Sequence, residues 1–451
     1  MMRSHWSNRW AFIMATAGSA VGLGNVWKFP YLAGTNGGSA FVLVYLACVL
    51  LIGLPLLMTE IMLGRRAQKN PVDGMAALAR EAGASPLWRY LGLMGVVAGV
   101  LILGYYSVVA GWVVAYGVRA AYTGFAGLNA QGAAALFETF LSRPGELVLW
   151  HTVFMALTMV VVAHGVTSGL ERANKVMMPG LVFALLILLG YSLAVGDVGR
   201  ALAFLFTPDF SKITPAAVLD AMGQAFFSLS IGMGAIMVYG SYLQRHVSIA
   251  RAAGYVVAAD TGIAVLAGIV VFALVFAHGG QPASGPGLVL QILPVAFGQM
   301  PGGQLFAVVF FILLLFAAWT SSISLVEPAV AWLTETTRLT RKQAALGVGM
   351  LVWLLGVGAA LAFNVGKDYK ILGFNFFDAL DNVTAKIMLP LGGLLMAVFA
   401  VWVMHAAHAQ EELALKARGY RLWLVTTRWI APAGIILVFL NSLDLLPVAR
   451  S

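Results

Sequence analysis

Charge is scarce in this chain. Only 10% of its residues are Asp, Glu, Lys or Arg, while 61% are hydrophobic. Soluble domains carry about 25% charged residues, so a large water-soluble protein is excluded. Cysteine is nearly absent. Cys48 stands alone, which rules out an intrachain disulfide. No Cys/His spacing suits zinc, and no GxSxG, HExxH or phosphate-loop motif occurs. The seven histidines lie mostly near the ends of apolar runs. His405 and His408 are three apart, but they sit where an apolar run ends and read as a solvated face. With no nucleophile–base pair and no metal constellation, an enzyme is not expected, nor is an organic cofactor.

What the chain has in quantity is apolar length. Its mean hydropathy is +0.90. Runs long enough to cross a bilayer, about 20 residues each, fall at 10–37, 39–64, 88–123, 147–166, 174–196, 217–243, 253–277, 300–335, 343–364, 375–405 and 424–446. The expected fold is an all-α polytopic membrane protein of eleven spans, its direct partner being the lipid bilayer. The 50 glycines suit it, because small residues let membrane helices approach closely. The first run continues straight into "GLGNVWKFP", so no cleavable signal peptide is expected.

The net charge of +9 raises the question of nucleic acid, and its distribution answers it. Of 27 lysines and arginines, eighteen fall in segments on the N-terminal side of the membrane and seven on the other, with Lys28 and Lys386 inside spans. The positive-inside bias then places the N-terminus in the cytoplasm and the C-terminus outside. No nucleic-acid partner is needed to explain the basic pI.

Two spans are interrupted. Segment 1 holds "GLGN" at 22–25, and segment 6 holds "FFSLSIGMGAI" at 226–236. Broken helices at corresponding positions of two halves are the best sequence pointer to a secondary-transporter site. The chain, 1–451, therefore reads as one transporter domain. Two five-helix repeats, 10–196 and 217–405, are inverted relative to each other, and span 424–446 lies outside them. A break in lipid frees backbone N–H and C=O groups, which is tolerable only around a protein-lined cavity. Gly18 and Gly22 also form a GxxxG spacing, for which close packing is the plain reading. The neighbouring Asn25 and Lys28, and the second break, favour a site.

Glu60, Asp260 and Glu327 stand in apolar surroundings, and an intramembrane acid is a functional candidate. For Glu60 and Glu327 a structural partnership is the expectation; for Asp260, a cation-binding role. The run "AAWTSSIS", Ala317 to Ser324, clusters hydroxyls in an apolar helix. Such hydroxyls can bond the carbonyl one turn back or offer a hard cation neutral oxygens.

Five stretches in order carry a resemblance over nearly the whole chain. They are "SAVGLGNVWKFPYLAGTNGGSAF", "GYYSVVAGW", "GQAFFSLSIGMGAIMVYGSYL", "AAWTSSISLVEP" and "NFFDALDNVTAKIMLPLGG". On these the chain resembles the neurotransmitter:sodium symporter family, in particular its bacterial eleven-helix amino-acid transporters of the LeuT and MhsT type. The resemblance implies a LeuT-like inverted repeat with helices 1 and 6 broken, and two sodium ions. The first ion would use Ala20, Asn25, Ser228 and Asp260. The second would use the carbonyls of Gly18, Val21 and Ala317 with the hydroxyls of Thr320 and Ser321. The substrate carboxylate would lie on the amides near Leu23 and Gly24, beside Tyr106 and the first sodium. Its ammonium would meet carbonyls around Ala20, Phe227 and Ser230. Its side chain would fill a pocket of Ser19, Ile102, Phe227, Ser230, Met233, Ser321 and Leu325, with Ser228 at the same site.

The resemblance also implies gates. Lys28 with Asp381 would close the outside, and Arg3 with Glu335 the inside, beside Trp6 and Tyr242. Lysine at the outer gate stands where arginine is usual, and a point charge grips a carboxylate less firmly than a guanidinium fork. Asp260 is asparagine in many relatives, where chloride supplies the nearby charge; here the acid is built in and the chloride-associated position reads Ala264. Chloride independence is expected, with a proton on Asp260 when sodium is gone. Met233, flexible and set between glycines, predicts a pocket open to bulky apolar side chains.

The expected function is sodium-coupled import of hydrophobic L-amino acids, aliphatic and aromatic, by alternating access in a monomer or homodimer. The alternatives are a sodium-independent or proton-coupled amino-acid or amine transporter, and a non-transporting receptor. Against the receptor, the longest stretches between spans, near 65–87 and 124–146, leave no room for a sensing domain. Against sodium independence, Thr320 and Ser321 keep their hydroxyls. Lys386, inside the tenth span, has no assigned role, and neutralising Glu60 is one option for it.

Overall fold

A computed structural model of the chain describes residues 5–280 and 288–442. Among them, nine helices are long and apolar enough to cross a membrane. They are α2 (Ser39–Ala67), α3 (Pro86–Tyr122), α4 (Pro144–Ala163), α5 (Val166–Val195), α7 (Ile249–Ala277), α8 (Gly303–Thr336), α9 (Arg341–Leu361), α10 (Phe376–Val403) and α11 (Ala417–Asn441). Two further crossings are each made by a pair of short helices. The arms of α1 are Arg9–Ala20 and a second stretch formed by Gly24–Lys28 and Phe29–Thr35. Those of α6 are Pro215–Ser228 and Ala235–Ser241. The count of eleven and both breaks match the sequence expectation.

Two starts differ. Helix α5 begins at Val166 rather than 174, and α11 at Ala417 rather than 424. In both, the first turns carry charge: "GLERANK" in α5 and "ARGYR" in α11. Hydropathy alone takes such turns for loop. The expected end of segment 11, at 446, lies outside the described residues. The two long connections fold into short helices, Pro71–Glu81 and Ala130–Leu141, each capped by an asparagine whose side chain accepts a backbone N–H.

The breaks have local causes. In α1 the helical ladder stops where Val21 turns extended, with φ −70° and ψ 99°. In α6, Ser230 takes φ +54° and Gly232 and Gly234 take +89° and +73°. Left-handed backbone costs a non-glycine residue roughly 1–2 kcal/mol. For Ser230, a hydroxyl bond to the Ser19 carbonyl at 2.8 Å offsets part of that. Gly232 has no such choice, because a Cβ there would lie 2.5 Å from the Leu389 carbonyl oxygen of α10. Helix α3 crosses α8 closely for the same reason: a Cβ on Gly99 would lie 2.4 Å from the Leu325 carbonyl.

The end of the bundle where α1 begins is clasped by ion pairs. Glu327 of α8, fully buried, takes a bidentate pair from Arg341 of α9 and a bond from the Tyr242 hydroxyl at 2.8 Å. Arg65 of α2 holds Glu412 at 2.8 Å, and Arg66 holds Glu81 at 2.5 Å. The Arg66 guanidinium keeps the Glu81 carboxyl below its usual range. Ser7, just before α1, donates its backbone N–H to Glu171 of α5 at 3.0 Å.

Candidate functional site between two broken helices

The two breaks face each other in the middle of the bundle. Between them lies a cavity of about 30 Å³ lined by Ser19, Ala20, Gly22, Leu23, Gly24, Ile102, Tyr106, Phe227, Ser228, Ser230, Met233, Ser321 and Leu325. All twelve residues that the sequence assigns to the substrate are among these thirteen, and only Gly22 is added. A Cβ on Gly22 would lie 2.7 Å from Ser321 Oγ, so the missing side chain lets α8 reach the break. The Leu23 N–H, freed by the unwinding, donates to the Tyr106 hydroxyl at 3.4 Å. The cavity thus has a polar end of non-helical backbone amides and hydroxyls and an apolar end of Ile102, Phe227, Met233 and Leu325. That is the division an amino acid needs.

Beside the polar end, three of the four residues expected at the first sodium site, Asn25, Ser228 and Asp260, form one cluster, and the fourth, Ala20, lines the adjoining cavity. Asn25 Nδ2 donates to Asp260 Oδ1 at 2.7 Å and to Ser228 Oγ at 3.2 Å. Ser228 Oγ donates to Asp260 Oδ2 at 2.7 Å. Asn25, Ser228 and Asp260 are all buried. The Asn25 amide oxygen turns to the Gly22 N–H at 3.0 Å rather than to the acid. A cation entering here competes with the Asn25 N–H and the Ser228 O–H for the carboxylate. Two side chains join the cluster without having been singled out in the sequence. The Tyr45 hydroxyl lies 3.5 Å from Ser228 Oγ, and Gln224 Nε2 donates to the Gly24 carbonyl at 2.8 Å. Tyr45 stands in an apolar run with no motif to flag it, whereas Gln224 belongs to the "GQAFFSLSIGMGAIMVYGSYL" stretch and carries no expected role there.

The residues expected at the second sodium site also meet. Ser321 Oγ lies 3.4 Å from the Gly18 carbonyl, 3.2 Å from that of Ser19 and 3.3 Å from that of Val21. Thr320 Oγ1 bonds the Ala317 carbonyl at 3.1 Å and that of Phe316 at 2.9 Å. Carbonyls of an unwound helix and hydroxyls of a regular one make a neutral oxygen cage, suited to a monovalent hard cation.

The gate residues fall out differently. Lys28 and Asp381, the expected outer gate, line one cavity of about 230 Å³, together with Asp220, Gln224, Phe227 and Lys386. Among the described residues no ion pair joins Lys28 to Asp381; Lys28 Nζ lies over the Phe227 ring, 4.4 Å from its centre. At the opposite end, Arg3 lies outside the described residues. Its expected partner Glu335 accepts from the Asn70 N–H and side-chain amide, both at 2.9 Å. Trp6 and Tyr242 do meet. Their rings pack edge to face 6.1 Å apart, and the Trp6 N–H donates to the Tyr242 carbonyl at 3.2 Å. Arg341, which fixes Glu327 beside them, was not picked out from the sequence. Glu60 is fully buried near the Gly232 and Gly234 backbone of the α6 break, with neither carboxylate oxygen hydrogen-bonded among the described residues. Lys386 is exposed at the cavity it shares with Lys28 and does not neutralise Glu60.

Comparison with known proteins agrees with this geometry. A family model described as the sodium:neurotransmitter symporter family matches residues 3–126 and 131–449. The chain is 39% identical over 446 residues to the sodium-dependent transporter YhdH of Bacillus subtilis, covering 98% of each. It is 33% identical to a sodium-dependent transporter of Haemophilus influenzae, again over 98% of each. Among solved structures, MhsT in complex with L-phenylalanine superposes with a TM-score of 0.89 at 42% identity, over 98% of this chain and all of that one.

Proposed function

Since the chain belongs to the sodium:neurotransmitter symporter family, we propose that it imports hydrophobic L-amino acids, aliphatic and aromatic, driven by sodium and without need of chloride. It is a membrane-embedded, LeuT-type transporter and not an enzyme. The observation that carries the substrate class is the cavity between the breaks, with the Leu23 amide and Tyr106 hydroxyl at one end and Ile102, Phe227, Met233 and Leu325 at the other. The similar MhsT binds L-phenylalanine, which supports aromatic side chains here.

In this reading two sodium ions bind, one at Asp260, Asn25, Ser228 and the Ala20 carbonyl, the other among Gly18, Val21, Ala317, Thr320 and Ser321. The substrate carboxylate sits on the Leu23 and Gly24 amides, accepts from the Tyr106 hydroxyl and touches the first sodium. Substrate thus completes the ion's shell, and each ligand raises the other's affinity. Asp260 supplies the negative charge that chloride would otherwise provide, and Ala264 leaves no ligand where a chloride would need one. Lys28 leaves the Phe227 ring for Asp381 as the outer cavity closes. The first arm of α1 then swings away from Tyr239 and Tyr242, and sodium leaves to the cytoplasm, where the N-terminus lies. The two five-helix repeats, 10–196 and 217–405, provide the two sides that rock.

The test is uptake of radiolabelled leucine and tryptophan into proteoliposomes. An inward sodium gradient is compared with potassium and with chloride-free buffer. Uptake that needs sodium, survives chloride removal and is competed by other apolar amino acids supports the reading. Saturable binding without accumulation would identify a receptor, and failure of both amino acids to bind would overturn the substrate class.

A further inference from the structure

One polar group beside the second oxygen cage has no work in the account so far. Asn174 of α5 is 1% exposed. Its Nδ2 donates to the Leu170 carbonyl one turn back at 2.8 Å. Its Oδ1 has no hydrogen-bond partner among the described residues. That oxygen is aimed at α1: a Cβ built on Gly18 would lie only 2.3 Å from it. The same point is 3.2 Å from Thr320 Cβ. Thus an orphaned amide oxygen lies against the α-carbon of one cage residue, Gly18, beside the Cβ of another, Thr320, and the Met178 sulfur.

A buried acceptor without a donor costs free energy, and an aliphatic side chain would pack there without that cost. A carbonyl cannot donate, and the Thr320 and Ser321 hydroxyls already donate to carbonyls of α8 and α1, so a cation is the natural partner for this amide oxygen. Gly18, Val21, Ala317, Thr320 and Ser321 together offer five oxygens, to which Asn174 would add a sixth from a third helix. Gly18 is glycine for a reason consistent with this, since any side chain would displace the Asn174 oxygen.

We propose that Asn174 is part of the second sodium site, its amide oxygen completing the ion's coordination directly or through one water. The inference rests on the two-sodium reading above and adds a residue from a third helix to it. The placement also has a consequence for release. Asn174 lies in α5 between Gly18 and the bundle end where Ser7 meets Glu171, so it is an oxygen the ion meets as the first arm of α1 moves off.

The experiment uses the full-length protein in detergent and two readouts besides transport: equilibrium binding of radioactive sodium, and the sodium dependence of L-phenylalanine binding, with lithium as the competing ion. Asn174→Leu keeps volume and removes the oxygen. Its half-saturating sodium concentration is expected to rise about tenfold, the lower end for loss of a supporting ligand. Maximal phenylalanine binding at high sodium should stay unchanged, and sodium-free thermal stability should stay equal or rise. Its preference for sodium over lithium should fall, since a smaller ion needs fewer ligands. Asn174→Asp, which keeps the oxygen and adds charge, should bind sodium more tightly at neutral pH and lose that gain in acid. Sodium titrations of both variants that overlay the wild type would overturn the proposal. So would a Leu variant whose only change is lower stability. If the wild type itself binds no sodium, the two-sodium reading fails first, and the proposal with it.

Discussion

Asn25 Nδ2 and Asp260 Oδ1 lie 2.7 Å apart, joining the unwound part of α1 to the middle of α7. With Ser228 bound to the other carboxylate oxygen at 2.7 Å, both oxygens of the acid are held from broken helices. Ion binding at Asp260 is therefore coupled directly to the geometry of both breaks. Asp260→Asn removes the charge and keeps the shape. The variant should need over tenfold more sodium for half-maximal substrate binding, a loss above about 1.4 kcal/mol. Sodium titrations of binding in chloride and in gluconate check this. An unchanged titration would separate Asp260 from the ion.

The substrate end makes a separable claim. Tyr106→Phe deletes the hydroxyl that faces the Leu23 amide and leaves the ring. Losing one hydrogen bond of about 1 kcal/mol should weaken amino-acid binding roughly fivefold for every side chain alike. Met233→Ala should act the other way round, changing the ranking of leucine against tryptophan with little effect on sodium. Competition binding with a panel of amino acids distinguishes the uniform loss from the reordered one.

The glycine of the sixth-helix break is tested by its smallest replacement. Gly232→Ala puts a methyl group 2.5 Å from the Leu389 oxygen at a φ of +89°. Left-handed strain and backbone displacement together should cost more than about 2 kcal/mol. The expected outcome is a lower melting temperature and loss of binding. Gly190→Ala, a helix position where an added Cβ meets nothing within 4 Å, serves as the control and should behave as wild type.

The breaks were legible in the sequence because glycine, asparagine and serine are conspicuous inside apolar runs. The cavity followed from them, down to Ile102 and Leu325 on unbroken helices, through the matched family motifs. Arg341, Tyr45 and Asn174 were not legible. Each meets the site or its inner closure from another helix, and hydropathy does not say how a helix is rotated. A single asparagine in "GLERANKVMMP" looks like the hydrophilic start of a span. Only packing against Gly18 shows that it points inward. Lys28 was read as half of an ion pair, and the structure lays it on Phe227 instead. One residue offered two partners, and sequence order does not choose between them.

The pair of Glu327 and Arg341 yields the strongest stability prediction. Glu327 is fully buried, and its carboxylate depends on the Arg341 guanidinium and the Tyr242 hydroxyl. Removing one partner of such a pair costs about 3–5 kcal/mol, because a buried charge is left uncompensated, while removing both charges together costs far less. Arg341→Leu should therefore be severely destabilised in thermal unfolding. The double variant Arg341→Leu with Glu327→Leu should recover most of the loss. Recovery of folding need not recover transport, because Tyr242 also contacts Trp6 through its carbonyl and ring. Freed from Glu327, Tyr242 should hold the start of α1 less firmly, favouring the inward-open form. A double variant that folds, binds substrate weakly and exposes a cysteine placed at the buried Ala11 of the first arm to aqueous thiol reagents would agree with that. One that folds and keeps such a cysteine as protected as in the Arg341–Glu327 parent would show that the ion pair holds the bundle together without closing it.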